Sequence, residues 1–419
     1  MAKSDEKKRA GLSGKADRAA KTTKADKAAK AAKGAQPGKG AKADKAGKAK
    51  AKAARKAEKR ALKKEAAEQA KAGRAIRKAT DRALRDLVRQ TTVEATDTAA
   101  RSAVRTAQQA VKRLSPRYEA PHPVSGRSVV GSWDLHMHSV FSDGSRTVDE
   151  LIAEARAAGI TRIAITDHDS LARLSYVRER AHELSFPVLA GVEVSARDMV
   201  TGRKVHILGF GLSATEDGSG PVERLIAPTL TARTANTLWQ AWVLQRQGIE
   251  FSGKHLSLDE LVATAGESTG VYKQHVMETL THRPYTDPDY QFCYACWFKG
   301  ESPANRDIPY PPAVDAVRAI REQGGVPVLA HPGQTDSWTL VSDLVGAGLL
   351  GIEAYHPDHT ERDRELAFEL AGRYGLFVTG GSDYHGTYGA APSVGTCFVC
   401  PEEAGAPVEG LFATEASLK

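Results

Sequence analysis

The sequence predicts an α/β fold, a parallel sheet or barrel covered by helices, preceded by a long basic tail. Three observations predict it. From about residue 132 onward, short apolar runs alternate with helical patterns, the signature of buried parallel strands. His, Asp and Glu residues recur at or just past the ends of those runs. Residues 1–120 are of another kind: 35 Lys and Arg stand against 13 Asp and Glu, and no aromatic residue precedes Tyr118. Such a segment cannot bury enough apolar area to offset the entropy of ordering it.

The tail carries a net charge of +22 and the remainder −14, so the overall +8 of the 419-residue chain describes neither part. A Lys/Ala-rich run of this kind binds nucleic acid or other polyanions through counterion release, without reading sequence. A dispensable solubilising extension is the alternative, and the absence of interleaved aromatics leaves no base-stacking platform. Between residues 51 and 114 helix formers dominate. Leu62, Ile76, Leu84, Leu87, Val88, Val104 and Val111 trace a broken apolar stripe, predicting a marginal helix or helical pair. Ser115-Pro116 and Pro121-His122-Pro123 punctuate a linker. No apolar run approaches the roughly 20 residues of a membrane span. No apolar segment follows the basic N-terminus as in a secretory signal. With four cysteines, a disulfide scaffold is not expected, and the location expected is the cytoplasm, with no membrane partner.

The first strand is expected near 132–138. A helix over Thr147–Ala158 follows, with Thr147 as its cap, Glu150 three residues on, and Gly159 ending it. Next come a strand over 162–166, a helix near 171–184, a strand over 187–190 leading into Gly191-Val192-Glu193-Val194, and a strand over 205–209. Residues 213–310 break the rhythm with mainly helical patterning and are expected to be an insertion. The alternation resumes with a helix over 312–323, strands over 326–330 and 351–355, a helix over 360–373 and a strand over 376–380. The organisation expected is a tail (1–120), a first barrel part (130–212), the helical insertion (213–310) and a second barrel part (311–405).

Residues 134–138 read Asp-Leu-His-Met-His, and in an extended strand His136 and His138 point to the same side. Neutral imidazole is the commonest protein metal ligand. His168, Glu193, His206, His331, Asp383 and His385 lie at the ends of later predicted strands, and Asp143 lies in the loop after the first. Loops at that end of an α/β barrel converge on its active site. Nine ligands exceed the needs of one ion and imply two to three divalent ions. Imidazole and carboxylate without thiolate suit Zn, Mn or Fe.

His136-Met-His138, Thr166-Asp167-His168-Asp169, Gly191-Val192-Glu193-Val194-Ser195, Ala330-His331-Pro332 and Gly381-Ser382-Asp383-Tyr384-His385 resemble, in order, the motifs of the polymerase-and-histidinol-phosphatase (PHP) phosphoesterases. The resemblance covers about 132–212 and 312–400. It implies a distorted seven-stranded (β/α) barrel with a trinuclear site. One ion would take His136, His138, Glu193 and Asp383; a second would share Glu193 and take His206 and His331; a third would take Asp143, His168 and His385. Asp167 is expected either to orient one of the imidazoles or to serve a structural role. Paired cations lower the pKa of water and offset phosphate charge, so positioning and positive charge supply most of the rate.

In PHP enzymes with an insertion at this place, that lobe supplies cationic groups to phosphate. Here it offers Lys273 and His275, with Arg283 beyond, where nucleotide-acting relatives tend to show Arg-Gly-His. Arg197, His356 and His359 are further substrate-binding candidates. The departure points toward a small phosphorylated ribose-type substrate, a cyclic phosphodiester and then the resulting monoester. The rivals are a nucleoside bisphosphate or AMP phosphatase, a 5'-3' oligoribonuclease, and a non-catalytic polyanion-binding protein. Cys293/Cys296 and Cys397/Cys400 form two C-x-x-C pairs; a four-cysteine zinc site is one reading and small buried hydrophobes the other.

Overall fold

A computed structural model of the protein describes residues 127–418. The basic tail and the helical pattern expected over 51–114 lie outside the described residues. Strands β1 (Trp133–Asp134), β2 (Arg162–Ile165) and β3 (Val188–Ala190) form a parallel sheet in that order. Strands β4 (Val192–Arg197), β5 (Lys204–Phe210), β6 (Val326–Ala330), β7 (Gly351–Tyr355) and β8 (Phe377–Gly380) form a second sheet, also in chain order. Both sheets bury Val-, Ile-, Leu- and Ala-rich strands on both faces. Helices α1 (Val148–Ala158), α2 (Leu174–Glu183), α7 (Ala313–Glu322), α8 (Val341–Ala347) and α9 (Glu361–Tyr374) alternate with them, and α3 to α6 belong to the segment between β5 and α7.

Two expectations need correction. The first strand does not run to residue 138: only Trp133–Asp134 pair as a regular strand. Beyond them the backbone divides its hydrogen bonds between two neighbours. Leu135 N donates to Gly380 O (3.0 Å), while Met137 O accepts from Thr166 N (2.9 Å) and His138 N donates to Tyr384 O (2.9 Å). The segment stays extended but belongs to no single ladder. The sheet is also not wholly parallel, because β5 runs antiparallel to both β4 and β6. A short connection over residues 198–203 returns the chain beside β4, whereas a parallel neighbour would need a long crossover.

The sheets meet at both edges. Leu135 and His138 bond toward β8 and the residues after it, and Gly191 N donates to Ile165 O (2.9 Å) and Glu193 N to Asp167 O (3.2 Å) on the other side.

Local rules account for the helices. Thr147 caps α1 through the Glu150 amide, Glu150 reaches back to the Thr147 amide, and Gly159 ends the helix in the left-handed region. Val148, Leu151, Ile152 and Ala155, at helical spacing, are buried against β2. Each fully buried Leu or Ile of this kind is worth about 1.5–3 kcal/mol of transfer free energy. The last helix, α10 (Pro401–Glu415), runs past the expected limit at residue 405 and breaks at Gly405 (φ +68°) before Pro407. Its far half buries Val408, Leu411 and Phe412, with the Phe412 ring 5.9 Å from that of Trp133.

The segment between β5 and α7 holds α3 (Pro221–Arg246), a small hairpin (Glu250–Phe251 with Lys254–His255), α4 (Leu258–Ala265), α5 (Lys273–Thr281) and α6 (Pro288–Phe298). Leu244, Leu261, Val276, Met277, Leu280, Tyr290, Trp297 and Phe298 pack there as a hydrophobic cluster distinct from that of the sheets. Among the described residues no helix is long and apolar enough to cross a membrane.

Candidate metal centre

The two-sided path of residues 135–138 sends His136 and His138 into the interior, where both are fully buried. Glu193 is the second residue of β4 and His206 the third of β5, so neither stands at the end of its strand as expected. The antiparallel turn of β5 explains this: Ser195 pairs with His206, which carries the start of β5 to the level of Glu193. His331 and Asp383 follow β6 and β8 with left-handed backbones, φ +26° and +49°. Non-glycine residues in that region are strained and gather at functional sites. Gly381 has no side chain because a Cβ there would overlap the backbone and Cβ of His136.

All nine predicted ligands converge. They fall into three groups: His136, His138, Glu193 and Asp383; Glu193, His206 and His331; and His138, Asp143, His168 and His385. Glu193 joins the first two by using different oxygens. Its Oε2 lies 3.1 Å from His136 Nε2 and 3.0 Å from His138 Nε2, and its Oε1 lies 2.6 Å from His206 Nδ1 and 2.9 Å from His331 Nε2. Asp383 Oδ1 is 3.2 Å from His138 Nε2, and Asp143 Oδ1 is 3.4 Å from His385 Nε2.

Donor chemistry and hydrogen bonding both fit divalent cations. Asp143 Oδ1 and Asp383 Oδ1 are buried without a hydrogen-bond partner among protein atoms. Buried polar atoms are otherwise nearly always paired, and a cation would satisfy these. With protein charges alone, burial disfavours ionised His138, but the carboxylates of Asp383 and Glu193 against its ring outweigh it and lift the imidazole to about 10. Burial likewise opposes ionised Glu193 and Asp383, yet the surrounding imidazoles hold both well below the usual carboxylate range. His168, dominated by burial, falls to about 4. Acids and bases this strongly coupled mark a site built around charge.

Of its two expected roles, Asp167 takes the structural one. Its carboxylate accepts from Ser139 N (2.8 Å), Ser139 Oγ (2.6 Å) and Ser142 Oγ (2.6 Å), so it fixes the turn after His138 and does not meet an imidazole directly. The residue that orients imidazole is Glu353, on β7, which sequence reasoning passed over. Its carboxylate is fully buried, lies 3.2 Å from His136 Nδ1 and accepts from His331 N (2.8 Å). A lone Glu inside the apolar strand Gly-Ile-Glu-Ala-Tyr was the available signal, since an ionisable group there needs a partner. Asp134 was missed too. It accepts from Ser382 N, Ser382 Oγ and Gly395 N, bracing the turn that carries Asp383, and burial raises it to about 6.

The substrate candidates separate. His356 is buried beside the centre, its Nε2 3.4 Å from Asp383 Oδ2. Lys273 opens α5 and lies over the Phe298 ring, and among the described residues it makes no ion pair; burial, then Lys299 and Lys204, push it down to about 8. His275 is committed elsewhere: Nδ1 accepts from Tyr272 N and the ring bonds to the Ser142 backbone, with burial lowering it to about 4. His359 bridges Ala354 O and Gly333 N. Arg197 pairs with Asp307 and Arg283 with Asp287. Arg233, from α3, was unforeseen; it pairs with buried Asp169 (2.7 Å) and reaches Ser195 Oγ (2.6 Å). The cysteines form no disulfide and enter none of the three groups. Cys293 and Cys296 lie on α6, and Cys397 and Cys400 flank Val399, which bridges to Trp133.

The PHP domain profile matches residues 134–293. A phosphoribosyl 1,2-cyclic phosphate 1,2-diphosphodiesterase of Eggerthella lenta is 46% identical over 262 residues, 62% of this chain and 97% of that protein. A 3',5'-nucleoside bisphosphate phosphatase of Chromobacterium violaceum is 30% identical, over 60% of this chain and 86% of its own length. Among solved structures, a proposed metal-dependent phosphoesterase of Bifidobacterium adolescentis matches with a TM-score of 0.57 and 26% identity, covering 67% of this chain and 96% of that one. With a relative of that identity spanned almost end to end, and with the motif histidines and carboxylates gathered in one interior, the chain belongs to the PHP domain family.

Proposed function

We propose that this chain is a metal-dependent phosphoesterase that hydrolyses small phosphorylated ribose-type metabolites, opening a cyclic phosphodiester such as phosphoribosyl 1,2-cyclic phosphate and then removing phosphate from the resulting monoester. The observation that carries the reading is the division of the two Glu193 oxygens between two ligand groups. The 46% identity to the Eggerthella lenta diphosphodiesterase supports the substrate class. We read the two sheets, bonded at both edges, as one distorted seven-stranded barrel around this centre, with β3 and β4 counted as a single strand interrupted at Gly191.

His136, His138, Glu193 and Asp383, then Glu193, His206 and His331, then His138, Asp143, His168 and His385 would hold up to three divalent ions, Mn, Zn or Fe. Such ions supply Lewis acidity, lowering the pKa of water toward neutrality and offsetting the charge of the phosphoryl group. The protein residues do the rest. Glu353 fixes the ring of His136 and the backbone of His331. Asp134 holds the turn before Asp383. Lys273, which makes no ion pair among the described residues, would hold a phosphate of the substrate, with Lys299 adding to the local positive field and Asp307 offsetting part of it. Phosphoryl transfer needs mainly this kind of positioning and charge.

Phosphate release is to be measured with phosphoribosyl 1,2-cyclic phosphate, a nucleoside 3',5'-bisphosphate, AMP and a 5'-phosphorylated oligoribonucleotide, each with Mn, Zn and Fe. The cyclic diester is expected to turn over fastest. Faster release from the bisphosphate would favour the second reading, which the Chromobacterium violaceum relative supports. No release from any ester would sink the phosphoesterase.

A further inference from the structure

The three ligand groups differ in what holds them. Glu193 and His206 lie on strands, and His136, His331 and Asp383 immediately beside them. The third group is stitched to the helical segment between β5 and α7 at every turn. Thr269 N donates to Phe141 O (2.9 Å) and Ser268 Oγ to Ser142 O (2.6 Å), next to Asp143. Tyr272 OH donates to the carbonyl of His168 itself (3.2 Å). Tyr285 N donates to Thr387 O (2.8 Å), two residues past His385. One bond reaches a ligand side chain: Gln274 Nε2 donates to Asp143 Oδ2 at 2.9 Å. That leaves Asp143 Oδ1 buried, without a hydrogen-bond partner, and turned toward His385 Nε2 at 3.4 Å.

We infer that Gln274 is a positioning residue for the third cation, and that this cation binds only as tightly as the helical segment is docked. The inference rests on the metal-centre reading above. A carboxylate free to rotate presents either oxygen, and its rotamer freedom must be lost when an ion binds. With Oδ2 tied to the amide, Oδ1 is aimed beforehand. Partners of ligand groups typically change metal affinity 10–100-fold when removed. The other two groups have no such tie to α5, so the effect is selective.

The test uses the full chain, stripped of metal and titrated with Mn²⁺ by calorimetry, with bound ions counted by elemental analysis after equilibrium dialysis. Gln274→Leu is expected to weaken one class of site by about 10–100-fold, with the other classes within twofold and an unchanged melting temperature. Gln274→Ala is read the same way should the leucine variant not fold. Three unchanged classes, or parallel weakening of all of them, would overturn the inference. A wild-type chain that binds only two ions overturns it as well while leaving the phosphoesterase standing. A wild-type chain that binds none removes the metal-centre reading itself.

Discussion

Glu353 offers a sharp perturbation because one buried carboxylate serves two ligands. Glu353→Ala removes the acceptor of the His331 amide (2.8 Å) and the group that faces His136 Nδ1 (3.2 Å). An orphaned buried N–H costs about 1–3 kcal/mol. Freeing the ring of His136 should cost a further 10–100-fold in metal affinity, about 1.4–2.8 kcal/mol. The two losses separate by variant. Glu353→Gln keeps the shape and can still accept from His331 N, so its stability should stay near wild type while its metal affinity falls. Competition between the protein and a chelator for Zn²⁺ or Mn²⁺ gives the affinity, and thermal unfolding of the metal-free chain gives the stability. If Glu353→Ala bound metal within twofold of wild type, the carboxylate would not orient His136 and the reasoning would be wrong.

Lys273 predicts a pH dependence. Its folded value, about 8, lies below the ordinary 10.5, so the ammonium is present at pH 7 and is lost as pH rises through 8. Affinity for a phosphorylated substrate, read as kcat/KM, should therefore fall above pH 8, and Lys273→Arg should flatten that limb because guanidinium keeps its proton. Folding stability should move the other way, rising between about pH 8 and 10.5, where the unfolded chain binds the extra proton. Arg233→Met strands the buried carboxylate of Asp169, so thermal or denaturant unfolding should show a loss of about 3–5 kcal/mol, and Asp169→Asn in the same chain should restore part of it. Gly381→Ala drives a methyl group into the backbone of His136; elemental analysis should find fewer bound ions, and an unchanged metal content would refute the packing argument.

The sequence by itself determined the alternation of strand and helix, the capping of α1 and the nine side chains that converge in the interior. These are properties of short range. The apolar period, the Thr147–Glu150 box and a His-x-His pair facing one side are all written within a few residues. The same locality explains the misreadings. The direction of β5 is carried by no residue type within 198–203 but by the length of that connection, too short for a parallel crossover. For Asp167 the sequence left an imidazole partner and a structural role both open, and the fold brings Ser139 and Ser142 to it.

Only tertiary structure could decide which ligands share a cation. Glu193 meets His136 and His138 across 57 and 55 residues, and His331 across 138, so its bridging role exists only once the strands are assembled. Glu353, Asp134 and Arg233 act through partners as remote as residues 136, 382 and 169. A buried charge is tolerable only where the fold supplies its counterpart, and that counterpart is fixed by the path of the chain and not by the residues on either side.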